Sequence, residues 1–161
     1  MKLSKRLIAI ADLIGRDASV ADIGTDHGYL PVYLAQTGTV KKIIASDISP
    51  SSLAAARRSA ADADVTDAIT FIVAPGLDGV APGEVDTVII AGVGGETISG
   101  ILGDAPWTKS RKITLILQPQ SKIDILFRFL YDNEYEIKQI IDVLDRGKFY
   151  TAILATGGEM S

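Results

Sequence analysis

Asp22, Gly24, Asp26, His27 and Gly28 fall within one short stretch, VADIGTDHGYLP at residues 20–31, and Asp47 follows 25 positions after Asp22. An apolar run that ends in an acid and two nearby glycines reads as a strand turning sharply to meet a ligand. Such a turn usually cradles phosphate with its backbone N–H groups. Here Asp26 stands where the G-x-G-x-x-G dinucleotide pattern needs its middle glycine. A carboxylate against a pyrophosphate costs on the order of 4 kcal/mol at 4 Å for an effective dielectric near 20. A cationic ligand reverses that sign. S-adenosylmethionine (SAM) carries an ammonium and a sulfonium and no phosphate, and Asp47 is spaced to accept from its ribose hydroxyls. These residues favour SAM over a nicotinamide dinucleotide, with a ligand-free structural turn as the plain alternative. Ile48 and Tyr29 flank the acids as further candidate cofactor contacts. His27 reads as a group that orders the loop or touches the cofactor rather than as a general base.

A second set closes two other apolar runs: Gly92, Gly94 and Gly95 in AGVGGE, and Gln118-Pro119-Gln120 in LQPQ. Glycines at a strand-to-helix turn open a concave backbone, and the N–H groups of a helix start can hold polar substrate atoms. A glutamine amide can pair with the N6 and N7 edge of adenine. The plainer readings are a tight turn and a solvated amide.

These sets meet only if the elements before them end at one edge. SVADI, KIIASDI, AITFIVA, DTVIIAG and KITLILQ read as strands. Helical patterns lie between most of them: YLPVYLAQ; SPSSLAAARRSAADA with Ser49 as N-cap and Pro50 at the first position; and GETISGIL. SKIDILFRFLYDNE reads as a further helix, and YEIKQIIDVLD and KFYTAILAT as a closing antiparallel pair around Arg146-Gly147. Leu3, Leu7, Ile10 and Ile14 recur at helical spacing, so an amphipathic helix is expected over about residues 3–14. The expected fold is α/β, with a Rossmann-like, mostly parallel seven-stranded sheet in the order 3-2-1-4-5-7-6. In such sheets the ligand sits beyond the carboxyl ends of the strands, where both residue sets fall.

Composition narrows the chemistry further. The 161 residues suit one domain, 1–161. With no cysteine and one histidine, disulfides, thiolate nucleophiles and His- or Cys-rich metal sites are excluded, and no metal is expected. No apolar run reaches membrane-spanning length, and Asp12 interrupts the only leader-like stretch, so a cytoplasmic location with no membrane contact is expected. The net charge of −4 leaves no broad basic footprint. The cluster Lys2, Lys5 and Arg6 reads as a solvated helix face.

ADIGTDHGYLPVYL, ASDISPSSLAAA, IIAGVGG and LILQPQ, in that order, resemble the motifs of a bacterial family of tRNA (adenine-N1)-methyltransferases acting at tRNA position 22. The resemblance runs from Arg6 to about Ala155. It implies a SAM-dependent methyltransferase fold, with Asp22, Gly24, Asp26, His27, Gly28, Tyr29, Asp47, Ile48 and Gly76 toward SAM. It implies Gly92, Gly94, Gly95, Gln118 and Pro119 around the adenine. Three places depart from the family pattern: Val93 for methionine, Gln120 for asparagine, and Ala74-Pro75 for Gly-Asp, which puts Pro75 where an acid near the cofactor adenine is expected. The family's helical domain has no counterpart in these residues, so weak tRNA binding is expected. A SAM- or nucleotide-binding module without catalysis, and a methyltransferase for another substrate, are the competing readings.

Overall fold

The computed structural model describes residues 3–159. Seven strands form one sheet in the order β3-β2-β1-β4-β5-β7-β6. They are β1 (Ser19–Ile23), β2 (Lys42–Asp47), β3 (Thr70–Val73), β4 (Thr87–Val93), β5 (Thr114–Pro119), β6 (Glu136–Asp145) and β7 (Lys148–Thr156). The first five run parallel, while β7 pairs antiparallel with both β5 and β6. The expected strand order and closing hairpin are both present.

Strand alternation divides the core between the two faces of the sheet. Val20, Ile43, Ala45, Ile89 and Ile116 face one side. There they meet helices α1 (Lys5–Asp12), α2 (Tyr29–Thr37) and α3 (Pro50–Asp62) through Ile10, Leu30, Leu34 and Ala60. Ala21, Ile44, Val88, Ile90, Leu115, Leu117 and Ile153 face the other side. They pack on α4 (Gly95–Gly103) and α5 (Ile123–Asp132) through Ile98, Leu102, Leu126 and Leu130. The central strands are buried on both faces, which is why they read as continuous apolar runs rather than alternating ones.

Two helix starts, α1 and α3, follow serine caps. Ser49 sits in extended geometry and accepts from Ser52 N–H at 3.2 Å, with Pro50 next. Ser4 caps α1 by accepting from Leu7 N–H, so the helix begins at Lys5 rather than at residue 3. It ends at Asp12, and Leu3 and Ile14 pack beside it from the flanking turns. Lys2 lies outside the described residues. Two strands differ from their expected ends for local reasons. A 3-10 turn at Thr66–Ala68 takes the start of the third strand pattern. At the other end, β4 runs on through Gly92 (φ 80°), where the β4–β5 register shifts. Gly92 is thus a bulge within the strand rather than part of the following turn.

Candidate active site

The carboxyl ends of β1, β2, β4 and β5 open into a cleft of about 960 Å³, within the range of small-molecule sites. Asp22 near the end of β1 and Asp47 at the end of β2 line it, and Gly24, Asp26, His27, Tyr29 and Ile48 join them. Gly92, Gln118 and Pro119 line it from β4 and β5. Both candidate sets therefore share one space.

Most backbone donors of the β1–α2 loop are engaged within the protein. Gly24 and Thr25 N–H both donate to Ser46 C=O, at 2.9 and 3.1 Å. Asp26 N–H donates to Asp47 Oδ2 at 3.0 Å, and Gly28 N–H to Thr25 C=O at 2.9 Å. Four of the five donors from residue 24 to 28 are thus engaged inside the protein. Pro31 removes another from the first turn of α2. A phosphate cradle needs free N–H groups. This loop offers carboxylates instead, the acceptor set suited to a cation.

Each acid is fixed. Asp47 is nearly buried, and its second oxygen accepts from Ser49 N–H at 2.9 Å, which leaves further lone pairs toward the cleft. Asp22 is 6% exposed and accepts from Thr25 Oγ1 at 2.8 Å. Burial pushes the Asp22 carboxyl up to about 6; the Thr25 hydroxyl opposes the shift, neighbouring Asp47 adds to it, and Arg6 counters it. Asp26 reaches a positive φ of 55° at the loop tip, a conformation that aspartate and asparagine tolerate better than most residues. His27 and Tyr29 stack with ring centroids 5.3 Å apart at the mouth.

The glycines divide by task. Gly24 (φ 74°) has open space where a Cβ would project, so its backbone can meet a ligand. Gly28 (φ 73°) does not line the cleft; a Cβ there would lie 2.7 Å from Ala56 Cβ, so it seats the loop against α3. Gly94 and Gly95 also stand behind the lining. Gly95 N–H donates to Ser121 C=O at 2.7 Å, and a Cβ on Gly95 would collide with the Lys122 carbonyl. Gly76 and Pro75 lie in a second, smaller cavity beside Trp107, and the structure does not bring Gly76 to the main cleft.

Gln118 is 1% exposed, so it is not a solvated amide. Its Oε1 accepts from Arg6 Nη1 at 2.9 Å, and its Nε2 donates to Pro119 C=O at 3.1 Å. Arg6 is the residue that reading the helix as solvated missed. It lies three residues after Leu3 and four before Ile10, on the buried stripe of α1, and that spacing is visible in the sequence. Its guanidinium also lies 5.7 Å from the Tyr150 ring centroid. Arg146, Lys148 and Phe149 line the same cleft from the β6–β7 turn, and nothing local in the sequence ties them to β1.

A family model described as a methyltransferase domain matches residues 3–153. The tRNA (adenine(22)-N(1))-methyltransferase of Bacillus subtilis is 33% identical over 159 residues, covering 99% of this chain and 67% of that protein. The chain belongs to this methyltransferase family. Among solved structures, Sp1610 of Streptococcus pneumoniae in complex with S-adenosyl-L-methionine superposes with a TM-score of 0.91 at 29% identity. That match covers 99% of this chain and 75% of the other. TrmK of M. capricolum in complex with S-adenosyl-homocysteine gives 0.86 at 31% identity, over 100% of this chain and 72% of that one. Family members of this fold have therefore been solved with SAM and with its product. Among the described residues no helix is long and apolar enough to cross a membrane, and no cluster of three His, Asp or Glu side chains is arranged to hold a metal ion.

Proposed function

We propose that the chain is a SAM-dependent methyltransferase acting on N1 of adenine at position 22 of a tRNA. The observation that carries this reading is the pairing, in one cleft, of a carboxylate-lined, donor-poor loop with a buried amide edge at Gln118-Pro119. SAM supplies a methyl group already activated by its sulfonium. Asp22 and Asp26 attract the cationic cofactor, Asp47 accepts from its ribose, and Gly24 lets the backbone approach.

Gly92 and Gln118-Pro119 form the opposite wall, where the base would lie. Gln118 Oε1 is held by Arg6, so the amide is preset before a substrate arrives. Adenine N1 has an in-plane lone pair, and positioning it in line with the methyl carbon supplies most of the advantage. No strong base is needed, because the cationic product base can lose an N6 proton to solvent. N1 lies on the Watson–Crick edge, so the base must be unpaired or flipped to enter.

Calorimetry with SAM and with NAD, followed by radiolabelled methyl transfer to tRNA transcripts carrying adenine or guanine at position 22, tests the reading. SAM binding with transfer to the adenine transcript alone is expected. Equal transfer to both would defeat the site assignment. SAM binding with no transfer to any tRNA would make the chain a binding module.

A further inference from the structure

At the end of the β6–β7 hairpin, packing within the sheet does not account for Arg146, Lys148 and Phe149, which are exposed. The last β5–β7 pair is Leu117 with Ile153, and β5 stops at Pro119. Residues 148–150 of β7 and their partners 143–145 therefore overhang the sheet, by about 10 Å at 3.4 Å per residue. Because β7 runs antiparallel to β5, this arm projects at the cleft edge, and Arg146, Lys148 and Phe149 line the cleft. Its α1 side is tied down, since Asp145 Oδ2 accepts from Arg6 N–H at 3.3 Å and Tyr150 lies beside the Arg6 guanidinium. Its other side is bare: the cross-strand pair Leu144 and Phe149 is 51% and 75% exposed.

The turn is built around a charge in an unfavourable place. Arg146 and Gly147 have φ of 53° and 79°, both in the left-handed region, as a two-residue hairpin of the I′ type requires. Asparagine, aspartate or glycine suits the first position, and arginine is strained there. Among the described residues neither Arg146 nor Lys148 makes an ion pair. Two unpaired cations and an exposed aromatic ring thus sit across the cleft from the acids that suit a cation. That pairing of charges and ring matches a single-stranded polyanion with stackable bases.

We propose that this arm is an RNA clamp, in which Arg146 and Lys148 hold phosphates flanking the target base and Phe149 stacks on a neighbouring base. The clamp rests on the tRNA reading above and adds to it a named contact surface within this chain. The test uses the full chain and tRNA transcripts carrying 2-aminopurine beside position 22, with affinity measured over a series of salt concentrations. Arg146→Asn combined with Lys148→Ser should lower the slope of log affinity against log salt by about 1.5, two phosphates at 0.7–0.9 each. Asparagine suits the turn, so the melting temperature should not fall. Phe149→Ala should weaken binding roughly five- to hundredfold at an unchanged slope and lose the 2-aminopurine quenching. Lys138→Ala, on the same hairpin but paired with Glu136, should change neither. RNA binding by the unaltered chain with slope and quenching unmoved in the variants overturns the clamp alone. No RNA binding by the unaltered chain overturns the clamp and the tRNA reading together.

Discussion

The two halves of the cleft carry opposite charge and are held by opposite means. On the β1–β2 side the carboxylates of Asp22 and Asp47 are buried, and backbone or hydroxyl donors fix their oxygens. On the β6–β7 side the cations of Arg146 and Lys148 sit on long, exposed side chains that have no ion-pair partner among the described residues, while the neighbouring Asp145 is held by Arg6 N–H. A small ligand with charges at fixed spacing rewards a preorganised wall, because little further ordering is lost on binding. A flexible polyanion rewards mobile cations that can follow its phosphates. Arg6 stands between the halves and joins a cation to the buried amide of Gln118.

The largest effect is expected at the buried, preorganised wall. Asp47→Ala should weaken SAM binding about 100-fold, near the upper end for a lost charged acceptor, as the Asp26 loop also loses its anchor. Calorimetry measures this, and a change below threefold would mean that the wall is not preorganised for the cofactor.

Asp22→Asn should divide stability from binding. The Asp22 carboxyl moves from an ordinary value of 3.8 to about 6 on folding, mainly by burial. Between these values the folded protein binds more protons than the unfolded one, so Asp22 costs stability progressively as pH rises and the full cost applies above about 6. The variant should therefore be roughly 2–3 kcal/mol more stable at pH 7, with the gain vanishing below about pH 4. Its SAM affinity should be lower, and in the unaltered chain that affinity should fall as pH drops below 6. Denaturant melts at several pH values check the first part and titrations the second. A destabilised variant at pH 7 would refute the burial account.

Removing the bridge comes next. Arg6→Ala strips the buried Gln118 carbonyl of its partner, a cost of about 1–2 kcal/mol. Turnover should fall about tenfold while SAM affinity stays within threefold, since the amide wall loosens and the acids remain. Equal losses in both would place Arg6 on the cofactor side. The smallest effect belongs to Lys122→Ala. Lys122 pairs with Glu96 at 3.2 Å, but both side chains are well exposed, at 62% and 44%. Stability should change by less than about 0.5 kcal/mol in a thermal melt.

Much of this molecule was legible in its residues, and the reason is locality. Strand and helix patterns, the Ser49-Pro50 cap and the glycine-Asp loop depend on neighbours within a few positions, where apolar period, capping and turn chemistry act directly. The sign of the ligand's charge could also be argued from Asp26, because a carboxylate's Coulomb preference needs no fold. The tertiary structure decided which glycines face a ligand and which face protein: Gly24 is open, while Gly28 and Gly95 serve packing against Ala56 and Lys122. It also moved Gln118 from an edge residue to a buried, oriented amide, and Arg6 from a solvated face to its partner. The strand order and the closing hairpin were legible too, but above all the tertiary structure decided how far that hairpin outruns β5, which brings Arg146, Lys148 and Phe149 to the cleft. That reach depends on the register between distant segments, which no local period encodes.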